Sequence, residues 1–413
     1  MDVTIIPNKL QGTVTPPASK SVGHRALIAA ALSGGVSRIS RLTPSQDMEA
    51  TLSCLTALGT GVEWTGPDQV AVHGLGNSIP QRGPFPRLDC GESGYTLRFL
   101  IPVALAVSGG EPLEFTGRGR LMERPQGPYF SLFQEKGIFY QQKDGVLTVR
   151  GTLKPGIYSL PGDVSSQFIT GLLFALPLLD GNSEIVLTTP LESRGYVDLT
   201  LDVLRTFGIQ VEERADAFHV LGSQHYESRD FTVEADWSQA AFWYAANFAG
   251  GQVDIQGLNM DSKQGDKVIA LQYWKLAKPG EAELDVSQCP DLVPPLAAMA
   301  AVRAGTTHLT HAARLRMKES DRLTTVSQAL AALGAQVEEG PDSLIIHGQE
   351  RLPGGGAVDC CNDHRIAMMA AVSAAFAQSP VTLLGAECVR KSYPEFWNHF
   401  IQLGGEAHGL VLR

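Results

Sequence analysis

The chain has 413 residues, of which 44% are hydrophobic and 18% are charged, and its formal net charge is -10. This length exceeds what one hydrophobic core usually supports, so we expect two domains. The acidic balance argues against a nucleic-acid-binding surface, which normally carries a basic excess, and no apolar run reaches the roughly 18 residues that cross a bilayer.

A strand is predicted almost at the first residue. Met1-Asp2 is followed by the strand-like segment 3–6, VTII, and no basic stretch with an apolar continuation precedes it. We therefore expect no signal peptide and a cytoplasmic protein. The six cysteines are scattered without Cys-x-x-Cys spacing, which favours free thiols over disulfides or a zinc site.

A pattern of helix end, glycine turn and β-hairpin recurs along the chain. Clear copies lie at 55–74, 132–151, 203–222 and 329–348, a truncated one at 400–413 and a degraded one at 271–284. The glycines suit helix C′ positions, and alternating apolar residues mark the hairpin strands. The copies are spaced by about 70 residues, which is long enough for a βαβαββ module. We predict an α/β (α+β) fold of six modules in two sets of three, with the first set ending near residue 228.

In the first half, polar residues gather at predicted helix starts and in one arginine-rich loop. These segments are 19–25 (SKSVGHR) before a helix at 26–32, 89–98 (DCGESGYTLR), 118–124 with Arg118, Arg120 and Arg124, and 162–167 (GDVSSQ) before a helix at 168–179. Helix N-termini and glycine-rich loops bind anions. Capping or surface charge explains each motif equally well when it is taken alone.

In the second half, residues 314–322 (RLRMKESDR) carry six charges in nine positions. Ser320 or Asp321 can cap the helix that follows, so Lys318, Glu319 and Arg322 lie at a helix N-terminus. A solvated, capped helix start is the simpler alternative.

Similar polar starts follow elsewhere: Asp291 before an Ala-rich helix, 361–365 (CNDHR) before a helix at 366–377, and 390–394 (RKSYP) before the last helix. Helix N-termini directed at a common cleft would sum their partial charges, which predicts a small polyanionic substrate.

Five motifs in this order resemble the 5-enolpyruvylshikimate-3-phosphate synthases over essentially the whole chain. They are Ser19-Lys20-Ser21 with Arg25, Ser165-Ser166-Gln167, residues 318–322 (KESDR), 362–365 (NDHR) and 391–394 (KSYP). The resemblance implies two similar domains of three βαβαββ repeats each, an inside-out α/β barrel-like arrangement, joined by a double-crossover hinge. It implies one domain at 1–18 plus 231–413 and another at 19–230, and two half-sites that close on substrate.

The resemblance also implies transfer of the enolpyruvyl group of phosphoenolpyruvate to the 5-hydroxyl of shikimate 3-phosphate, with release of phosphate, in the shikimate pathway of aromatic amino acid biosynthesis. No metal or organic cofactor is implied. The phosphoenolpyruvate ligands would be Lys20, Gly94, Arg124, Gln167, Arg322, Arg365 and Lys391. The shikimate 3-phosphate ligands would be Lys20, Ser21, Arg25, Ser165, Ser166, Gln167, Ser193, Asp291 and Lys318. Asp291 would act as base, Glu319 as acid at C3, and Lys20 would assist.

The chain departs from the family pattern at several positions. Glu92 replaces Asn and Tyr95 replaces Thr in the glycine loop, Gly23-His24 replaces Ser/Ala-Asn, and Arg314 replaces an Asn. Glu92 adds negative charge and Tyr95 adds bulk beside the phosphoenolpyruvate pocket. These changes bear on affinity for this substrate and on the response to the inhibitor glyphosate.

Two other functions compete with this interpretation. The sister transferase acting on a UDP-amino sugar, UDP-N-acetylglucosamine enolpyruvyl transferase, uses a Cys in the loop before its Arg-Pro, and residues 117–124 contain none. A non-catalytic phosphometabolite-binding relative would not need Lys318, Glu319 and Asp291 together. We expect a monomer whose only partners are its two small-molecule substrates, with no nucleic acid and no membrane.

Overall fold

The computed structural model describes residues 1–76 and 87–411. The chain divides into two compact units. One, the discontinuous unit, comprises Met1–Ser19 and Glu234–Arg413, and the other, the continuous unit, comprises Lys20–Val233.

The strands, in chain order, are Val3–Ile6 (β1), Gln11–Val14 (β2), Val36–Ser40 (β3), Gly61–Gly66 (β4), Gln69–His73 (β5), Leu88–Asp89 (β6), Leu113–Thr116 (β7), Phe139–Lys143 (β8), Val146–Arg150 (β9), Ile157–Leu160 (β10), Ser183–Leu187 (β11), Val211–Arg214 (β12), Ala217–Val220 (β13), Phe231–Thr232 (β14), Gln252–Ile255 (β15), Ala282–Asp285 (β16), Thr306–Thr310 (β17), Gln336–Glu339 (β18), Leu344–His347 (β19), Ala357–Asp359 (β20), Val381–Leu384 (β21) and Glu406–His408 (β22).

The α-helices are Lys20–Leu32 (α1), Gln46–Ala57 (α2), Gly94–Val107 (α3), Gly127–Lys136 (α4), Ser166–Ala175 (α5), Arg194–Thr206 (α6), Trp237–Phe248 (α7), Ile269–Leu276 (α8), Val293–Ala301 (α9), Arg322–Ala332 (α10), His364–Ala375 (α11) and Phe396–Gln402 (α12). Short 3-10 helices include Leu121–Glu123, Gly265–Val268, Pro290–Leu292, Ala313–Met317 and Ala386–Lys391.

The continuous unit contains three four-stranded sheets of one design, with strand orders β14-β3-β5-β4, β6-β7-β9-β8 and β10-β11-β13-β12. In each sheet the first two strands are parallel and the last two form an antiparallel hairpin. The hairpins lie where the repeats at 55–74, 132–151 and 203–222 predict them. The mixed α/β fold with repeated βαβαββ modules is therefore confirmed.

The discontinuous unit repeats this design with sheets β16-β17-β19-β18 and β20-β21-β1-β22, plus the pair β15-β2. The truncated copy at 400–413 has one hairpin strand, β22, and β1 pairs antiparallel with both β21 and β22 in place of the second. The degraded copy predicted at 271–284 is wrong as a hairpin. Its strand β16 pairs in parallel with β17 and so begins the next module.

The core of each unit is formed by helices that are buried on nearly every side. All residues of α1 except Ser21 are buried, and α3 packs against α5. In the discontinuous unit, every residue of α9 and of α11 is buried, and both helices pack against α7. Such helices need to be surrounded by other elements. None of the helices in residues 1–76 and 87–411 combines the length and hydropathy needed to cross a bilayer.

Candidate functional site

The buried helices begin at the residues that the sequence motifs single out. Asp321, one of the two caps predicted for that helix, is the N-cap of α10. Ser165 is the N-cap of α5, which begins at Ser166 rather than at residue 168. Asp363 caps α11, where its Oδ1 accepts the backbone N–H of Arg365 at 3.0 Å. These caps place polar side chains and the first backbone N–H groups at the same ends of the helices, which is the arrangement that binds anions.

Two predicted helix starts are wrong. Helix α1 begins at Lys20 rather than at residue 26, so that Lys20, Ser21 and Arg25 lie on the helix itself. Residues 390–394 do not open the last helix, because Lys391 ends a 3-10 helix and α12 begins only at Phe396. Lys20 and Arg25 therefore lie in the first two turns of α1, and Lys391 lies at the end of a 3-10 helix. All three side chains still lie near a helix end.

Asp291 is the centre of a buried ion cluster in the discontinuous unit. Its Oδ1 lies 3.1 Å from Nζ of Lys318 and 3.0 Å from Nη1 of Arg322, and its Oδ2 lies 3.4 Å from Nη2 of Arg365. Burial alone would raise the pKa of Asp291, but Arg365, Lys318 and Arg322 hold it well below its usual range. Asp291 is therefore a carboxylate at neutral pH.

Arg322 joins this cluster to two further carboxylates. Its Nε donates to Oδ2 of Asp363 at 2.8 Å, and its Nη2 forms an ion pair with Glu319. Only 1% of its side chain is exposed. Burial would lower the pKa of Arg322, whereas Asp363, Glu319 and Asp291 raise it. Paired in this way, the buried guanidinium remains charged and in a fixed orientation.

Lys318, Lys391 and Arg314 lie in the same unit. Burial lowers the pKa of Lys318, partly offset by Asp291. Nζ of Lys391 donates to the backbone oxygen of Asn362 at 2.6 Å, and Arg314 donates to the backbone oxygen of Ser287. Lys391 is thus tied to the loop that opens α11.

Asp266 is a buried acid that the sequence motifs did not reveal. It lies on the 3-10 helix Gly265–Val268 and is 4% exposed. Burial, followed by the charge of Asp291, raises the pKa of Asp266 to about 7. No pattern around residue 266 distinguishes it from an ordinary surface aspartate.

In the continuous unit, Lys20 and Arg25 are held by different partners. Nζ of Lys20 lies 2.8 Å from Oδ2 of Asp47 on α2. Arg25 donates to Oγ1 of Thr200 at 2.9 Å and to the backbone oxygens of Ser21 at 2.7 Å and Tyr196 at 2.8 Å. Burial lowers the pKa of Arg25 to about 10, which still leaves it charged at neutral pH.

Gly94, Arg124 and Gln167 converge at the start of α3 and α5. A Cβ atom at Gly94 would lie 2.7 Å from Nη1 of Arg124 and 3.4 Å from Oε1 of Gln167. Arg98 donates to the same Gln167 oxygen at 2.9 Å. Only glycine at 94 lets the arginine and the amide approach the backbone this closely.

Three more of the predicted site serines, Ser165, Ser166 and Ser193, lie at helix starts. Ser165 accepts the backbone N–H of Gln167 at 3.3 Å, and Ser166 is the buried first residue of α5. Ser193 precedes α6 with φ of 55°, a left-handed conformation that is uncommon for serine.

The structure thus groups Asp291, Lys318, Glu319, Arg322 and Arg365 in one unit, and Gly94, Arg124 and Gln167 in the other. Asp47, Arg98 and Asp363 were missed as partners of predicted site residues. Arg98 and Asp363 lie inside motifs that were singled out, so their motifs offered a signal. Nothing marks Asp47 in the sequence beyond its place near a helix start. Within residues 1–76 and 87–411, no group of three or more His, Cys, Asp or Glu side chains is arranged to hold a metal ion.

Comparison with known proteins gives one consistent result. A family model described as EPSP synthase (3-phosphoshikimate 1-carboxyvinyltransferase) matches residues 5–400. A 3-phosphoshikimate 1-carboxyvinyltransferase of Clostridium kluyveri is 46% identical over 98% of this chain and 97% of its own length. One of Clostridium acetobutylicum is 43% identical over 98% of both chains. A solved EPSP synthase from Acinetobacter baumannii is 25% identical, with a TM-score of 0.80 over 98% of this chain and 99% of that one.

Proposed function

This chain belongs to the EPSP synthase family, and from that premise we propose how its own residues perform the family reaction. The chain is a transferase that moves the enolpyruvyl group of phosphoenolpyruvate to the 5-hydroxyl of shikimate 3-phosphate. The products are 5-enolpyruvylshikimate 3-phosphate and phosphate. The observation that carries the residue assignments is the buried carboxylate of Asp291 between Lys318, Arg322 and Arg365.

Asp291 is the general base in this proposal. In the absence of substrate, its three cations keep its pKa too low for efficient proton abstraction. Arg322 and Arg365 are also assigned to phosphoenolpyruvate, whose anionic groups would take up part of their positive charge. Losing that share of cationic stabilisation raises the pKa of the carboxylate. Asp291 therefore becomes a better base for the 5-hydroxyl when both substrates are present.

In its protonated form, Glu319 is the general acid that protonates C3 of the enol while the 5-hydroxyl oxygen bonds to C2 and Asp291 takes the hydroxyl proton. In the elimination, Glu319 takes a proton back from C3 as the C2–O bond to phosphate breaks, and the proton held by Asp291 leaves with the phosphate. Lys20 assists these transfers. The ion pair with Arg322 fixes Glu319 beside a phosphoenolpyruvate ligand, and the pair with Asp47 fixes Lys20. A positioned acid or base contributes about 10² to 10⁴ in rate. The remainder comes from cations that stabilise the charge developing in the transition state.

The substrates are held by two sets of residues. We assign phosphoenolpyruvate to Lys20, Gly94, Arg124, Gln167, Arg322, Arg365 and Lys391. We assign shikimate 3-phosphate to Lys20, Ser21, Arg25, Ser165, Ser166, Gln167, Ser193, Asp291 and Lys318. Both ligands are polyanions, and arginine and lysine side chains give the charge-assisted hydrogen bonds that such ligands require. The chain as a whole has a net charge of -10 and repels anions. Binding of both substrates therefore depends on the local positive charge of these arginine and lysine side chains.

We further propose that the chain acts as a monomer in the cytoplasm. All residues assigned to the reaction are on one chain, so no second copy is needed to complete the set. Phosphorylated metabolites do not cross a bilayer because burying their charge is too costly, so the enzyme must work in the compartment that makes them.

The test is an assay that mixes the purified chain with phosphoenolpyruvate and shikimate 3-phosphate. We expect equal amounts of phosphate and 5-enolpyruvylshikimate 3-phosphate, at a rate that a chelator of divalent metals does not change. UDP-N-acetylglucosamine in place of shikimate 3-phosphate should release no phosphate. Phosphate release from phosphoenolpyruvate only when UDP-N-acetylglucosamine is the acceptor would identify the sister transferase. No release with either acceptor would indicate a binding protein without catalytic activity.

A further inference from the structure

Two positions where the chain departs from the family pattern, His24 and Tyr95, contact each other. The centroids of their rings are 5.2 Å apart and the ring planes are inclined by 7°. His24 is on the second turn of α1 and Tyr95 is on the first turn of α3. Stacking fixes each ring against the other, so the two departures form one structural feature although they are far apart in the sequence.

Tyr95 reaches from this stack to a residue assigned to shikimate 3-phosphate. Its hydroxyl lies 3.0 Å from Oγ of Ser21, a hydrogen-bonding distance. Nζ of Lys20 and the guanidinium of Arg25 each lie 5.7 Å from the centroid of the Tyr95 ring. Both distances are within the range of cation–π attraction. Tyr95 therefore contacts or borders three assigned ligands, all on the first two turns of α1.

The His24 side of the stack is fixed by a chain of hydrogen bonds through buried threonines. His24 is fully buried, and its Nδ1 lies 2.7 Å from Oγ1 of Thr51, which in turn lies 2.7 Å from Oγ1 of Thr96. Burial, then Lys20 and Arg25, lower the pKa of His24 well below its ordinary value, so the ring is neutral. Tyr95 and Ser21 are only half-buried. The rigid side of the pair faces the core, and the hydroxyl side remains accessible to a ligand.

Resting on the proposed function, we infer that His24 and Tyr95 act together as a positioning pair that orients the Ser21 hydroxyl toward shikimate 3-phosphate. A threonine at 95 would lack both the ring that stacks and the para hydroxyl that reaches Ser21. An asparagine at 24 would leave the Tyr95 ring without its support. The ring of His24 thus supports the ring of Tyr95, and the hydroxyl of Tyr95 contacts Ser21.

The first test is Tyr95→Phe, which keeps the ring and removes only the hydroxyl. We expect the KM for shikimate 3-phosphate to rise about tenfold, the size of one lost hydrogen bond. The KM for phosphoenolpyruvate and kcat should stay within about twofold, because the lost contact serves one substrate. Tyr158→Phe is the matched control. It removes a tyrosine hydroxyl bonded to the backbone oxygen of Lys154 in the same unit, and it should leave both KM values unchanged.

The second test compares His24→Asn, Tyr95→Thr and the double variant, with thermal unfolding of each as a check on folding. For a coupled pair, the double variant raises the KM for shikimate 3-phosphate by clearly less than the product of the two single increases. An increase equal to that product, or a Tyr95→Phe enzyme with an unchanged KM, overturns the inference. Wild-type protein without turnover would instead overturn the proposed function. If His24→Asn does not fold, the result with Tyr95→Phe decides.

Discussion

The ammonium group of Lys20 lies 2.8 Å from the carboxylate of Asp47, and 10% or less of either side chain is exposed. The pair joins the first turn of α1 to the first turn of α2. Asp47 thus fixes the direction of a lysine that is proposed to bind phosphoenolpyruvate and to assist proton transfer. A lysine stem has many rotamers, so without this partner its ammonium group would sample several positions.

We predict that Asp47→Asn lowers kcat/KM about 10²-fold, because a misplacement of about 1 Å at a reacting group has an effect of this size. Steady-state kinetics with both substrates measures it. Glu114→Gln is the control, since it breaks the exposed pair with Arg87 and such pairs contribute little. Equal activity of Asp47→Asn and Glu114→Gln would show that Lys20 needs no orienting partner.

Glu319→Gln keeps the size and the hydrogen-bonding capacity of the side chain but cannot deliver a carboxyl proton. We predict a loss of about 10² to 10⁴ in kcat, with the KM for phosphoenolpyruvate changed far less. Glu339→Gln is matched to it, because Glu339 also pairs with an arginine, Arg316, in the same unit. Turnover of Glu319→Gln within tenfold of wild type would remove Glu319 from the proposed proton transfer.

Gly94→Ala inserts a methyl group 2.7 Å from Nη1 of Arg124. This contact is too short, so the guanidinium must move, and we predict that the KM for phosphoenolpyruvate rises at least about tenfold through a weakened charge-assisted hydrogen bond. The KM for shikimate 3-phosphate should change less. Gly127→Ala is the control, because a Cβ atom there would meet no atom within 4 Å. The prediction fails if the two alanine variants have the same KM for phosphoenolpyruvate.

Asp266 predicts a pH dependence of stability. Its pKa is raised to about 7 in the fold, against about 3.9 in an unfolded chain. Between these values the folded chain holds a proton that the unfolded chain has lost, so this group makes the fold less stable as pH rises toward 7. Asp266→Asn is always neutral and removes the effect.

We therefore expect Asp266→Asn to raise the urea midpoint relative to wild type, and to raise it more at pH 8 than at pH 5. Asp261→Asn, at an exposed position just before the same 3-10 helix, should shift the midpoint equally at both pH values. A gain from Asp266→Asn that does not depend on pH would mean that the raised pKa is not the source of the instability.

The parts of the fold that follow from neighbouring residues were predictable. A glycine turn and alternating apolar positions, which are local signals, predict the hairpins at 55–74, 132–151, 203–222 and 329–348. The caps Ser165 and Asp321 are local as well. The start of α1 was missed because the polar residues 20–25 show no apolar periodicity, and burial among other helices stabilises this turn instead.

The ion cluster could be predicted only in part. Charge density at 314–322 pointed to Lys318, Glu319 and Arg322, but their partners Asp291 and Asp363 come from distant segments, as does Asp47 for Lys20. Pairing over such separations depends on how the modules pack, which no local pattern records. The same reason explains why segment 271–284 was assigned a hairpin, whereas β16 pairs with β17 of the following module.

The pairing of β1 has a consequence for synthesis of the chain. Val3 is opposite Leu383 and Thr4 is opposite His408, so β1 has no strand neighbours until β21 and β22 have left the ribosome. At about 5 to 20 residues per second, that delay lasts on the order of tens of seconds. The continuous unit, which ends at Val233, is translated completely within this time. The continuous unit therefore has all of its own residues before β1 can pair, and until then both edges of β1 lack partner strands.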